Sequence, residues 1–174
     1  MSMREGYLLG IGTNLDPERN ALRIVERLVV RFGRILLSRL YATAPVGMTS
    51  ERTFLNFCAF AATDLEPAAM KALCVGIEVE LGRDRSHPGS KTRDRPADID
   101  LQIRFFADGS RIVLEEIPPY LAVPAAEILA LLSPGEPVPP AGAGICVLAA
   151  GGLRLGEAPA AVDRDDGTGL VVVG

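Results

Sequence analysis

The chain has 174 residues, 48% of them apolar, which suits one domain with a sizeable core. Its net charge of −4 excludes a whole-surface nucleic-acid footprint, and no apolar run near residue 1 is long enough for a signal peptide or a membrane span. Three widely spaced cysteines exclude a disulfide framework, and the single histidine, His87, excludes a His-rich metal centre. Cys58 and Cys74 lie in apolar segments and read as reduced core thiols, so the expectation is a soluble, cytoplasmic protein.

YLLGIG (7–12) is a short apolar run ending in Gly, as a buried strand requires. Asp16 before Pro17 marks a helix start, with a carboxylate to cap the first amides and Pro at the first helical position. Leu22, Val25, Leu28, Val29 and Phe32 then recur at helical spacing, and Gly33 stops the helix. RILLSRLYAT (34–43) reads as one strand broken by APVG, and FLNFCAFAAT (54–63) as another. Pro67 opens a second helix with Met70, Leu73, Cys74, Ile77 and Leu81 as its apolar stripe and Gly82 as its stop. A polar loop, GRDRSHPGSKTRDRPA, leads into the strand DIDLQIRFF. ADGS is a turn, and RIVL returns as a hairpin partner.

This order, β-α-β-β-α-β, predicts an α+β, ferredoxin-like core: an antiparallel sheet with both helices on one face. Residues 1–132 form that domain. Gly, Ala and Pro dominate 133–174, an extension that is either loosely ordered or built of short strands, with ICVLAA and GLVVVG its strand-like pieces.

Residues i and i+2 of a strand share a face, so Asp98 and Asp100 point the same way. Two adjacent carboxylates repel unless a cation lies between them, and Mg²⁺ favours such hard oxygen pairs completed by substrate phosphates. A solvated strand face is the alternative reading. Arg83, Arg85, Lys91, Arg93 and Arg95 crowd the preceding loop, which has little to bury and forms a mobile, phosphate-pairing cover, or else an ordinary solvated loop. No P-loop and no G-x-G-x-x-G after a strand is present. Thr43 and Asn56 lie at strand ends beside Val46 and Phe54. An Asn amide matches a heterocycle edge and Phe offers a stacking face, although a capping Asn in a connecting loop fits equally.

Taken in order, GIGTNLDPERN, SRLYATAPVG, FLN, IEVELGRDR and RPADIDLQI resemble the 6-hydroxymethyl-7,8-dihydropterin pyrophosphokinase family over roughly residues 7–106. The resemblance implies a ferredoxin-like fold and transfer of diphosphate from ATP to a pterin hydroxymethyl, with AMP released. It implies that Asp98 and Asp100 hold two Mg²⁺ ions and that Arg83 and Arg95 act with them on the phosphates. Glu78, Arg85 and Ile99 would belong to the ATP side, and Thr43, Val46, Phe54 and Asn56 to the pterin pocket. The expected partners are small molecules alone, with no nucleic acid or membrane, for a monomer or weak homodimer. The chain departs from the family in having no tryptophan in the arginine loop. It also lacks counterparts of a Pro-His pair and a later arginine in EEIPPYLAVPAAEIL. A diverged paralogue for another pterin, or a non-catalytic binding module, are the alternatives.

Overall fold

The computed structural model describes residues 4–150, 152–165, 167 and 169–173. Strand β1 (Gly6–Thr13) lies inside the sheet, paired antiparallel with β4 (Phe54–Ala62) on one side and β5 (Asp98–Phe105) on the other. β5 pairs with β6 (Arg111–Val113) as the expected hairpin. Helices α1 (Pro17–Phe32) and α2 (Pro67–Glu80) pack on the face that carries Tyr7, Leu9 and Ile11. The α+β, ferredoxin-like order is as the patterning predicts.

Four local features differ from expectation. Asp16 makes no side-chain capping bond; its backbone is left-handed at φ 41°, ψ 57°, which turns the carboxylate away from the first amides. The segment 34–43 is two strands, β2 (Arg34–Leu37) and β3 (Leu40–Thr43), both paired with β4. The break falls at Ser38, whose hydroxyl accepts the Cys58 N–H at 2.9 Å and donates to the Arg39 carbonyl. A third helix, α3 (Ala122–Leu132), follows a 3-10 turn at Pro119–Leu121 and packs on the opposite sheet face. Its AVPAAEILALL has almost no polar side chain, so it lacks the alternation that reveals amphipathic helices.

The fourth difference is in the extension: its strand-like pieces form β7 (Ile145–Cys146), β8 (Leu148–Ala150) and β11 (Val171–Val173) as one of the two expectations had it, but β9 (Leu153–Leu155) and β10 (Ala160–Asp163) are added. β9 and β10 carry little strand signal of their own. β10 is ordered by its ladder to β2, and the Arg34 guanidinium meets the Asp163 carboxylate at the end of that ladder. β7 pairs with β3. Between them, Glu127 of α3 is fully buried and ties the layers together. It accepts from the Arg39 amide at 2.8 Å, the Arg39 guanidinium at 2.8 Å and the Tyr41 hydroxyl at 2.5 Å.

An irregularity in β5 matters for the site. Leu9 faces Leu101 but Leu8 faces Ile103, so Gln102 is an extra residue in the ladder. The bulge reverses the strand's parity. Asp98 and Asp100 therefore share one face with Ile103 and Phe105, which pack with Leu8 and Phe60 under α3. Phe60 and Phe105 meet edge to face at 5.8 Å. Among the described residues all three cysteines are free, and burial pushes the Cys74 thiol up to about 12, as expected of a core thiol. No helix among the described residues is long and apolar enough to cross a membrane.

Candidate active site

Helix α3 covers only part of its sheet face. Beyond Leu121 that face is open, leaving a cleft of about 230 Å³ over the ends of β1, β4 and β5. The cleft exists because β1 places Gly10 and Gly12 on this face and so gives it a floor without side chains. A Cβ on Gly12 would stand 2.8 Å from Asn56 Oδ1, and one on Gly10 would stand 2.7 Å from Leu121 Cδ1. We expect Gly12→Ala to push the Asn56 amide aside. Titration of a heterocyclic ligand should then show about tenfold weaker binding, the scale of about one lost hydrogen bond, with an unchanged unfolding midpoint.

One wall of this cleft carries Asp98, Asp100 and Arg95, and the other carries Thr43, Val46, Phe54 and Asn56. The tertiary structure thus gathers in one cavity seven residues that lie up to 57 positions apart. Asn56 donates to the Thr43 hydroxyl across the β3–β4 ladder, which fixes the plane of its amide. Val46 is 68% exposed at the mouth.

Glu78, Arg83, Arg85 and Ile99 lie outside the lining, behind the acidic wall. Glu78 is fully buried on α2 and is a hub for three segments. Its Oε1 accepts the Ile99 amide at 2.8 Å and Arg83 Nη1 at 3.2 Å; its Oε2 accepts Arg85 Nε at 2.7 Å. The Ile99 side chain is buried in the helix-side core, and its backbone carbonyl accepts from Lys71 at 3.3 Å. Arg83 is buried too, with Nη1 donating to Asp98 Oδ1 at 2.8 Å and to the Ala97 carbonyl at 3.1 Å. Arg95 Nη1 donates to Asp98 Oδ2 at 3.0 Å. Both ends of the arginine loop are therefore anchored at the acid pair.

The two acids differ in environment. Asp98 has an arginine on each oxygen. Asp100 is paired with Lys71, 3.7 Å away. Burial first, then repulsion from Asp98 and Glu115, pushes the Asp100 carboxyl up to about 6, with Lys71 opposing. A carboxylate held against its preference beside a second one is a place where a divalent cation relieves repulsion. Among the described residues no group of three or more His, Cys, Asp or Glu side chains could hold a metal. A cation here would take two protein carboxylates and complete its shell with water and ligand oxygens, the habit of Mg²⁺.

Sequence reasoning did not single out Gly10, Gly12, Met48, Tyr120 or Leu121, all of which line the cleft, nor Lys71 beside Asp100. The paired glycines two apart in a buried strand were the available signal. The others carried none, because they reach the cleft from separate elements.

The family described as 7,8-dihydro-6-hydroxymethylpterin-pyrophosphokinase matches residues 8–131, from the second core position of β1 to the last turn of α3. A 2-amino-4-hydroxy-6-hydroxymethyldihydropteridine pyrophosphokinase of Porphyromonas gingivalis is 31% identical over 140 residues, covering 75% of this chain and 95% of that protein. A mitochondrial folate synthesis bifunctional protein of Arabidopsis thaliana is 33% identical over 103 residues, covering 58% of this chain and 18% of that protein. The bifunctional protein FolKE of Lactococcus lactis is 30% identical over 104 residues, covering 58% of this chain and 28% of that one. With both walls of the cleft inside the matched span, the chain belongs to the 7,8-dihydro-6-hydroxymethylpterin-pyrophosphokinase family and is a transferase.

Proposed function

We propose that the protein transfers diphosphate from ATP to the hydroxymethyl group of 6-hydroxymethyl-7,8-dihydropterin and releases AMP. The observation that carries this reading is the single cleft with an acid–arginine wall facing an amide–aromatic wall. Asp98 and Asp100 would hold two Mg²⁺ ions. When bound, these supply positive charge to the phosphate oxygens.

The chain's own residues do the rest. Phe54 offers a face to the pterin ring, and the Asn56 amide, held in plane by Thr43, reads its edge. Val46 closes the mouth beside them. Arg95 brings its guanidinium to the phosphate side of the cleft, and Arg83 adds buried positive charge behind Asp98. Arg85, paired with Glu78 and 37% exposed, would turn outward toward phosphate by exchanging that pair. No covalent intermediate on the protein is needed, since phosphoryl-type transfer is catalysed by positioning and charge.

The test is to incubate the folded protein with ATP, Mg²⁺ and the dihydropterin and to measure AMP and pterin diphosphate. Stoichiometric AMP is the expected result. Its absence with a series of pterins would refute this reading, and pterin binding without AMP would point to a binding module instead.

A further inference from the structure

The turn after β1, TNLDPERN, lines none of the acid or aromatic wall, yet it is tightly built. Asn14 is 1% exposed and bonds through its backbone N–H and through both side-chain polar atoms. Its side-chain Oδ1 accepts the Arg95 backbone N–H at 2.7 Å, and its Nδ2 donates to Asp94 Oδ1 at 2.8 Å. Its backbone N–H donates to the Arg95 carbonyl at 3.1 Å, which also takes the Leu15 N–H at 3.3 Å. The turn is itself braced: buried Asn20 donates from Nδ2 to the Leu15 carbonyl at 2.6 Å, and Asp16 holds the left-handed backbone that lets the chain double back into α1. Both backbone polar groups of Arg95 are thus satisfied by one residue 81 positions away.

We propose that Asn14 is a positioning residue that clamps the C-terminal root of the arginine loop and thereby aims the Arg95 guanidinium at Asp98 and the cleft. The Arg95 side chain leaves this clamped backbone to reach Asp98 Oδ2 at 3.0 Å, and its Nη2 also donates to the Lys91 carbonyl. The clamp therefore orders the loop between Lys91 and Arg95 as well. A buried amide bonded on both sides holds a loop root more rigidly than water would, because releasing it leaves buried polar groups unpaired. The consequence for activity rests on the phosphate-facing role given to Arg95 above; the consequence for the loop does not.

The test uses full-length Asn14→Ala, Asn14→Asp and the exchange pair Asn14→Asp/Asp94→Asn. Asn14→Asp keeps the acceptor for the Arg95 N–H but sets a carboxylate against Asp94. The exchange pair restores that bond with donor and acceptor reversed. For the single variants we expect kcat to fall about 10–100-fold, the scale of a small misplacement of a catalytic group, with KM for the dihydropterin within about twofold. Trypsin should cut the native loop at Lys91–Thr92 at least about fivefold faster, since local opening is no longer opposed by the clamp. The exchange pair should recover both kcat and the slow cleavage. Wild-type cleavage rates in Asn14→Asp, or a loss that the exchange pair leaves unrepaired, would overturn the clamp. If the wild-type protein releases no AMP, the proposed transfer from ATP fails while the cleavage experiment still decides the clamp.

Discussion

Asn substitutions at Asp98 and Asp100 should both cripple diphosphate transfer yet move stability in opposite directions. Each should lower kcat by about 10²–10³-fold, the scale of removing one preorganised electrostatic group. In metal-free buffer Asp98→Asn loses charge-assisted bonds to Arg83 and Arg95 and should destabilise the fold by about 1–3 kcal/mol. The accompanying relief of Asp100 is smaller than the loss of two arginine partners. Asp100→Asn removes a carboxylate whose pKa is pushed up to about 6 from 3.8. That shift is worth about 3 kcal/mol at face value and about 1–2 kcal/mol once screening at a side chain one-third exposed is counted. Asp100→Asn should therefore stabilise the metal-free protein.

The pH dependence follows with a definite sign. A carboxyl whose folded pKa is raised binds its proton more tightly in the native state than in the unfolded one. Its stabilising contribution is full below pH 3.8 and is lost as pH rises through about 6. Unfolding midpoints of the metal-free wild type should thus lose this contribution between about pH 4 and 6, and Asp100→Asn should flatten that part of the profile. An Asp100→Asn variant less stable than wild type at pH 7.5 would contradict the assignment of Asp100 as the strained member of the pair.

Removing the buried carboxylate of Glu78 should have the largest effect on stability. Glu78→Ala strips Arg83 of its buried partner, frees Arg85 and leaves the Ile99 amide without an acceptor. Breaking a buried ion pair from one side costs about 3–5 kcal/mol, and Arg83 Nε already lacks a partner among the described residues. Chemical denaturation should show a loss of that size, and Glu78→Gln, which keeps an oxygen for Ile99, should show a smaller one. Because Ile99 lies between Asp98 and Asp100, the register of the acid pair depends on this buried contact. A Glu78→Ala protein with unaltered stability and unaltered metal affinity would contradict the hub.

Several parts of this protein are written locally. The short apolar run of β1, the 3.6-residue stripes of α1 and α2, and the hairpin of β5 with β6 follow from local sequence, and they suffice for the ferredoxin-like order. That Asp98 and Asp100 share a face follows from strand geometry alone. The family motifs likewise carry the two sets of site residues, each attached to its own strand end.

The tertiary structure decides what no local pattern carries. Helix α3 is apolar nearly all round, so only the exposed half of a sheet face shows where it belongs. Strand β10 is a run of small residues that becomes a strand through its ladder to β2. The arginine loop reads from its composition as a mobile phosphate-pairing cover or an ordinary solvated loop, yet Arg83 and Arg95 are drawn inward because Glu78 and Asp98 wait there, and such irregularly spaced ion pairs leave no periodic trace. Likewise the extra residue at Gln102 swaps the faces of β5 midway, which lets one strand carry acids into the cleft and aromatic packing under α3. Spacing, composition and the ordered family motifs together marked which residues could do the chemistry. Long-range packing alone decided that the two walls face each other across two glycines, because only the fold brings β1, β4 and β5 side by side.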